Sequence, residues 1–157
     1  MLKSHPIVAF VATTQPAVAK PFYAKTLGLR LVSEDGFALV FDAAGTMLRV
    51  ATVPAPLQPA GYTVLGWHVP DIERAVRGLQ AAGVAFNRYE GLGQDDLSIW
   101  TAPSGARVAW FADPDGNTLS LTEFKPKASR KKPAPKNTAR KKEARKPARK
   151  GKAKGRT

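Results

Sequence analysis

FADPDGNTLSLTEF, residues 111–124, combines turn chemistry and strand chemistry in one stretch. Pro114 fixes its own φ, Gly116 tolerates φ > 0, and Asp113, Asp115 and Asn117 can hydrogen-bond nearby backbone, so the first half reads as a turn. The second half alternates Leu119 and Leu121 with Ser120 and Thr122, the period of a strand with one buried face. Such a strand can wall a cavity, and the chemistry of that cavity depends on the residue at Ser120.

Working outward, the first 124 residues divide into two similar units. Residues 7–13 are an apolar run short enough for a strand. Thr14-Gln15-Pro16 follows as a helix start with proline at the first helical position. Val18, Phe22, Tyr23, Thr26 and Leu27 mark a helical stripe that Gly28 stops. Residues 29–33, 37–41 and 46–52 read as strands separated by turns at Asp35-Gly36 and Ala44-Gly45. The order recurs about 56 residues later. Residues 62–69 form a strand and Asp71 caps a helix. On that helix Ile72, Ala75, Val76, Leu79 and Ala82 keep helical spacing up to Gly83. Residues 85–89, a run within 97–101, 106–111 and 118–124 supply the remaining strands. Pro54, Pro56, Pro59 and Gly61 punctuate the linker.

The expected fold is therefore α+β, with two βαβββ modules over residues 5–53 and 61–124. Each is apolar on one side, so together they form a half-open β-barrel with a groove.

Charge divides the chain at the end of that domain. Through Phe124 there are nine Lys and Arg against eleven Asp and Glu, a net of −2. From Lys125 onward sixteen cations face Glu143 alone, a net of +15. The pI of about 10.4 thus belongs to residues 125–157 and not to the domain over 1–124. That segment carries no aromatic and no large aliphatic residue, so disorder is expected. Its composition resembles the Lys/Ala/Pro tails of histone H1-like nucleoid proteins. Clusters at Arg130, Lys131, Lys132, Arg140, Lys141, Lys142, Arg145 and Lys146 suit sequence-independent contact with nucleic acid through phosphate neutralisation. With no cysteine and no long apolar run, a cytoplasmic protein without membrane contact is the expectation, with the nucleoid as the place its basic segment suggests.

FYAKTLGLRLV (residues 22–32), VPDIERAVRGLQAAGVAF (69–86) and FADPDGNTLSLTEF together resemble the vicinal oxygen chelate superfamily, which includes glyoxalase, bleomycin-resistance and extradiol dioxygenase proteins. The resemblance implies a ligand cavity between modules of one chain or of a swapped homodimer. It also implies four positions for His, Glu or Gln metal ligands. Here these fall at Val8, near Arg49 to Ala51, at Val64 and at Ser120, none of which suits a divalent cation. His5 and Glu123 have strand parity that turns them from the groove. No metal and no other cofactor is expected.

Arg49, Val64, His68, Trp100, Ser120 and Thr122 are the candidate pocket residues. Arg49 could hold an anion bidentately, or serve as a solvated strand residue. His68 is the single candidate for acid–base chemistry, and a hydrogen-bonded structural imidazole is its plainer role. Trp67 reads as core and Trp100 as pocket wall. No phosphate loop or nucleophile triad is present.

Three functions remain open: metal-independent binding of an unknown small molecule, a lyase, isomerase or dioxygenase with displaced ligands, and a nucleoid-associated protein that dimerises through its domain.

Overall fold

The computed structural model describes residues 1–125, and the disorder and nucleic-acid contact expected of the basic segment beyond them lie outside the described residues. Two four-stranded mixed sheets carry the domain. The first has the order β1-β4-β3-β2, from β1 (Val8–Thr13), β2 (Arg30–Glu34), β3 (Ala38–Ala43) and β4 (Thr46–Thr52). The second has the order β5-β8-β7-β6, from β5 (Leu65–His68), β6 (Trp100–Thr101), β7 (Arg107–Ala112) and β8 (Thr118–Glu123). In each sheet the first strand of the module pairs in parallel with the last, β1 with β4 and β5 with β8. The predicted repeat is thus realised as the same winding twice. The strands do not close into a barrel among the described residues.

Each module lays a helix on one face of its sheet. Helix α1 (Pro16–Pro21) begins at Gln15 with Pro16 in its first turn and continues into a π turn, Phe22–Thr26. Pro21 lacks the N–H that would continue the α pattern, which accounts for the widened turn. Helix α2 (Ile72–Ala81) carries a double anionic cap. Asp71 Oδ1 accepts from the Arg74 N–H at 3.0 Å, and Glu123 Oε2 accepts from the Ile72 N–H at 2.8 Å. Carboxylates at this end satisfy orphan donors and complement the helix dipole. Glu123 therefore faces the helix, as its parity required.

Two apolar clusters result. Val11, Ala19, Tyr23, Leu39, Phe41, Leu48 and Val50 form the first. Ile72, Val76, Val84, Ile99, Ala109, Phe111, Leu119 and Leu121 form the second. Phe22, Leu27, Val64 and Leu65 pack against both, so an apolar seam joins the modules.

Three predicted strands are reduced, the first of them residues 62–69, which shorten to Leu65–His68. Residues 85–89 form only an isolated bridge between Phe86 and Phe111. The Gln94 side chain takes the Tyr89 N–H at 2.6 Å and the Asn87 carbonyl at 2.9 Å, groups that a longer ladder would need. The run at 97–101 shrinks to Trp100–Thr101. Asp95 Oδ1 captures the N–H groups of Leu97 and Ile99, both at 2.9 Å, and Ser98 sits at φ +62°. A compact turn replaces extended chain there.

Candidate functional site

The face of each sheet turned away from its helix is open. On the first sheet Val8, Phe10 and Met47 are 45%, 61% and 45% exposed, with Arg49 half-buried among them through the pairings Val8–Met47 and Phe10–Arg49. These are large apolar side chains left uncovered by the other described residues, and contiguous apolar surface of this kind marks a contact or ligand face.

The open face of the second sheet is ordered in two rows set by register. Gly66, Ser120 and Trp110 lie side by side on β5, β8 and β7. His68, Thr122, Val108 and Trp100 lie side by side on β5, β8, β7 and β6. The alternate residues Trp67, Leu121, Leu119 and Phe111 face α2, and Trp67 stacks on Phe111 at 6.4 Å between ring centroids. Trp67 is thus a core residue and Trp100 an open-face residue.

The β7–β6 side of this face is an aromatic wall. The Trp100 and Trp110 rings are 6.0 Å apart at 33°, and Tyr89 meets Trp110 edge-on at 5.5 Å. Trp110 Nε1 donates to Thr63 Oγ1 at 3.0 Å, which fixes the indole plane. Gln94 and Asp95 hold the loop that carries Tyr89 and leads to Trp100. The β5–β8 side is small and polar, with Gly66, Ser120 and Thr122. His68 stands at the end of its row with its ring 5.3 Å from Phe124.

The structure therefore gathers His68, Trp100, Ser120 and Thr122 on one face. Arg49 lies on the other sheet, and Val64 packs at the seam between the clusters. The family's metal positions, Val8, Val64, Ser120 and the stretch at Arg49, do not fit a divalent ion. Valine offers no donor, and Arg49 would repel the charge. Among the described residues no three of His, Cys, Asp and Glu come together. No carboxylate hydrogen-bonds His68 among them either, so an acid–base pair is not assembled there.

Sequence reasoning missed a polar latch between modules. Asp113, 6% exposed, accepts from the Tyr23 hydroxyl at 2.7 Å and Asn117 Nδ2 at 2.8 Å through one oxygen. Its other oxygen accepts from the N–H groups of Asp115 at 3.0 Å and Asn117 at 2.9 Å. Asp115 in turn accepts from Thr13 Oγ1 at 2.5 Å, Thr14 Oγ1 at 2.7 Å and the Thr14 N–H at 2.9 Å. Desolvation pushes the Asp115 carboxyl upward, but these donors prevail and hold it below the usual carboxylate range. The turn thus staples the second module to the β1–α1 corner of the first. The residues had signalled the turn; their partners, about a hundred positions earlier, left no local trace.

The family model of the Glyoxalase/Bleomycin resistance protein/Dioxygenase superfamily matches residues 5–121. The chain belongs to this superfamily. Solved relatives share the architecture. TnmS3, an antibiotic binding protein from Streptomyces sp. CB03234, is 26% identical with a TM-score of 0.61 over 80% of this chain and 99% of its own. A superfamily member from Sphaerobacter thermophilus DSM 20745 is 25% identical with a TM-score of 0.61, over 78% of this chain and 99% of its own. Lactoylglutathione lyase from Agrobacterium tumefaciens, at 17% identity and a TM-score of 0.59 over 77% and 95%, shares the fold alone. None of the curated proteins compared with the chain matches it. Among the described residues no helix is long and apolar enough to cross a membrane.

Proposed function

We propose that this superfamily domain binds a small aromatic molecule without a metal, against the open face of the second sheet. The observation that carries this reading is the Trp100–Trp110–Tyr89 wall beside the bare strip at Gly66 and Ser120. Aromatic walls with few polar groups hold planar ligands by stacking. The antibiotic-binding relative supports binding as a use of this architecture. In this reading a homodimer covers the apolar first-sheet face at Val8, Phe10 and Met47, and Arg49 lies at that interface.

Naphthalene, followed through quenching of tryptophan fluorescence, tests the reading. Trp100→Ala should weaken naphthalene about tenfold, since one stacking partner contributes about 1–3 kcal/mol. Dialysis against a chelator should leave the wild-type affinity in place. Absence of naphthalene binding, or binding lost on chelation and restored by a divalent cation, would overturn it.

The proposal extends to the basic segment, residues 125–157, as a separate polycationic arm that contacts nucleic acid without reading sequence. The charge step from −2 to +15 supports this part. Deleting residues 127–157 should abolish duplex DNA binding at low salt, and the full chain's affinity should fall steeply with salt. Unchanged binding by the truncated chain sinks it.

A further inference from the structure

The Ser120 hydroxyl is a buried polar group on the open face of the second sheet that no described residue engages. Ser120 is 5% exposed, yet no group of the described residues hydrogen-bonds its hydroxyl. Among those residues no side-chain oxygen or nitrogen is sealed from solvent without a partner. The hydroxyl is therefore reached from the open face through a narrow aperture.

Gly66 leaves room for it. A Cβ on Gly66 would stand 2.6 Å from Ser120 Oγ, so the hydroxyl leans across β5 into the space that a side chain there would fill. The glycine is needed for this close approach, and not for an unusual backbone, since Gly66 is not among the residues with positive φ. Every other residue type at position 66 would close the aperture or displace the hydroxyl. Across β8 from Gly66 stands Trp110, the centre of the aromatic wall.

We infer that Ser120 and Gly66 form a subsite for an oxygen on the edge of the aromatic ligand, so that the ligand class is an uncharged planar aromatic bearing a hydroxyl or carbonyl group. The inference rests on the proposed binding reading and narrows it. A ring stacked against Trp110 and Trp100 places one edge over β8. A polar oxygen on that edge replaces the water that otherwise meets the Ser120 hydroxyl. A serine hydroxyl donates or accepts as required, so both alcohols and carbonyls satisfy it. A ligand without such an oxygen leaves the hydroxyl desolvated and unpaired, and discrimination comes from that penalty.

The test compares 1-naphthol with naphthalene on the full chain. Wild type should bind 1-naphthol about tenfold more tightly, the effect of one well-formed hydrogen bond in a partly desolvated site. Ser120→Ala should bring 1-naphthol down to the affinity of naphthalene. Gly66→Ala provides a second variant, in which the added methyl group displaces the hydroxyl and the preference also disappears. Equal affinities in wild type, or a preference that survives Ser120→Ala, overturn the inference while leaving the stacking site intact. If naphthalene itself fails to bind, the binding reading falls and the inference with it.

Discussion

Asp113→Ala lowers the unfolding free energy of the domain by about 4 kcal/mol, read as a fall in the urea midpoint at unchanged m-value. The size follows from what the carboxylate satisfies. Four donors converge on it: the Tyr23 hydroxyl, Asn117 Nδ2 and the N–H groups of Asp115 and Asn117. Tyr23 is fully buried and Asn117 is 5% exposed. Water cannot replace the lost acceptor without opening the seam. Each stranded donor costs about 1–3 kcal/mol, and charge-assisted bonds lie toward the upper end. A loss under about 1 kcal/mol would show that the latch is ornamental.

Tyr23→Phe separates the latch from the turn. It removes one donor and leaves the other three bonded, so it costs about 1–2 kcal/mol. It also changes the alkaline limb of the stability profile. Burial first, and the Asp113 charge second, push the Tyr23 phenol far above its ordinary value. The folded protein therefore keeps Tyr23 neutral while the unfolded chain ionises it near pH 10. The stability tied to this group is fully present below about pH 10 and falls as the pH rises beyond it. In Tyr23→Phe that part of the fall is lost. Urea midpoints at pH 8 and pH 10.5 for the two proteins check the sign.

The latch also marks where sequence reading stops. Helix α2 was legible because Ile72, Ala75, Val76 and Leu79 repeat at helical spacing after a capping aspartate, and β8 because its leucines alternate with Ser120 and Thr122. Both are local patterns; burial followed them at Ile72, Val76, Leu119 and Leu121, and took in Ser120 as well. The shortened strands at 85–89 and 97–101 were not legible, because a glutamine and an aspartate side chain take over backbone groups that residue type alone leaves free. The site lies between these cases. Parity separated Trp67 from His68 and Glu123 from Ser120, and the structure places them on opposite faces as expected. The clustering of Trp110 and Tyr89 with Trp100 depended on a loop fold that no periodicity announces. The slot over Gly66 needed cross-strand register, which a single strand cannot reveal.

Adjacent residues on β7 provide the other large effect, because they face opposite sides of one sheet. Phe111 is fully buried, packs 5.5 Å from Phe86 and 6.4 Å from Trp67, and touches the core beneath α2. Phe111→Ala should cost about 4 kcal/mol, the transfer loss of a buried ring plus the cavity that rigid neighbours cannot fill. Trp110 is half-buried on the open face, with its indole N–H on Thr63. Trp110→Ala should cost under about 2 kcal/mol in stability while removing most naphthalene binding, since it takes away the ring that Trp100 and Tyr89 both contact. Urea midpoints and fluorescence titrations on the two variants measure the separation. If Trp110→Ala destabilises as much as Phe111→Ala and folded protein still binds naphthalene, the aromatic wall is a second core and not a ligand surface.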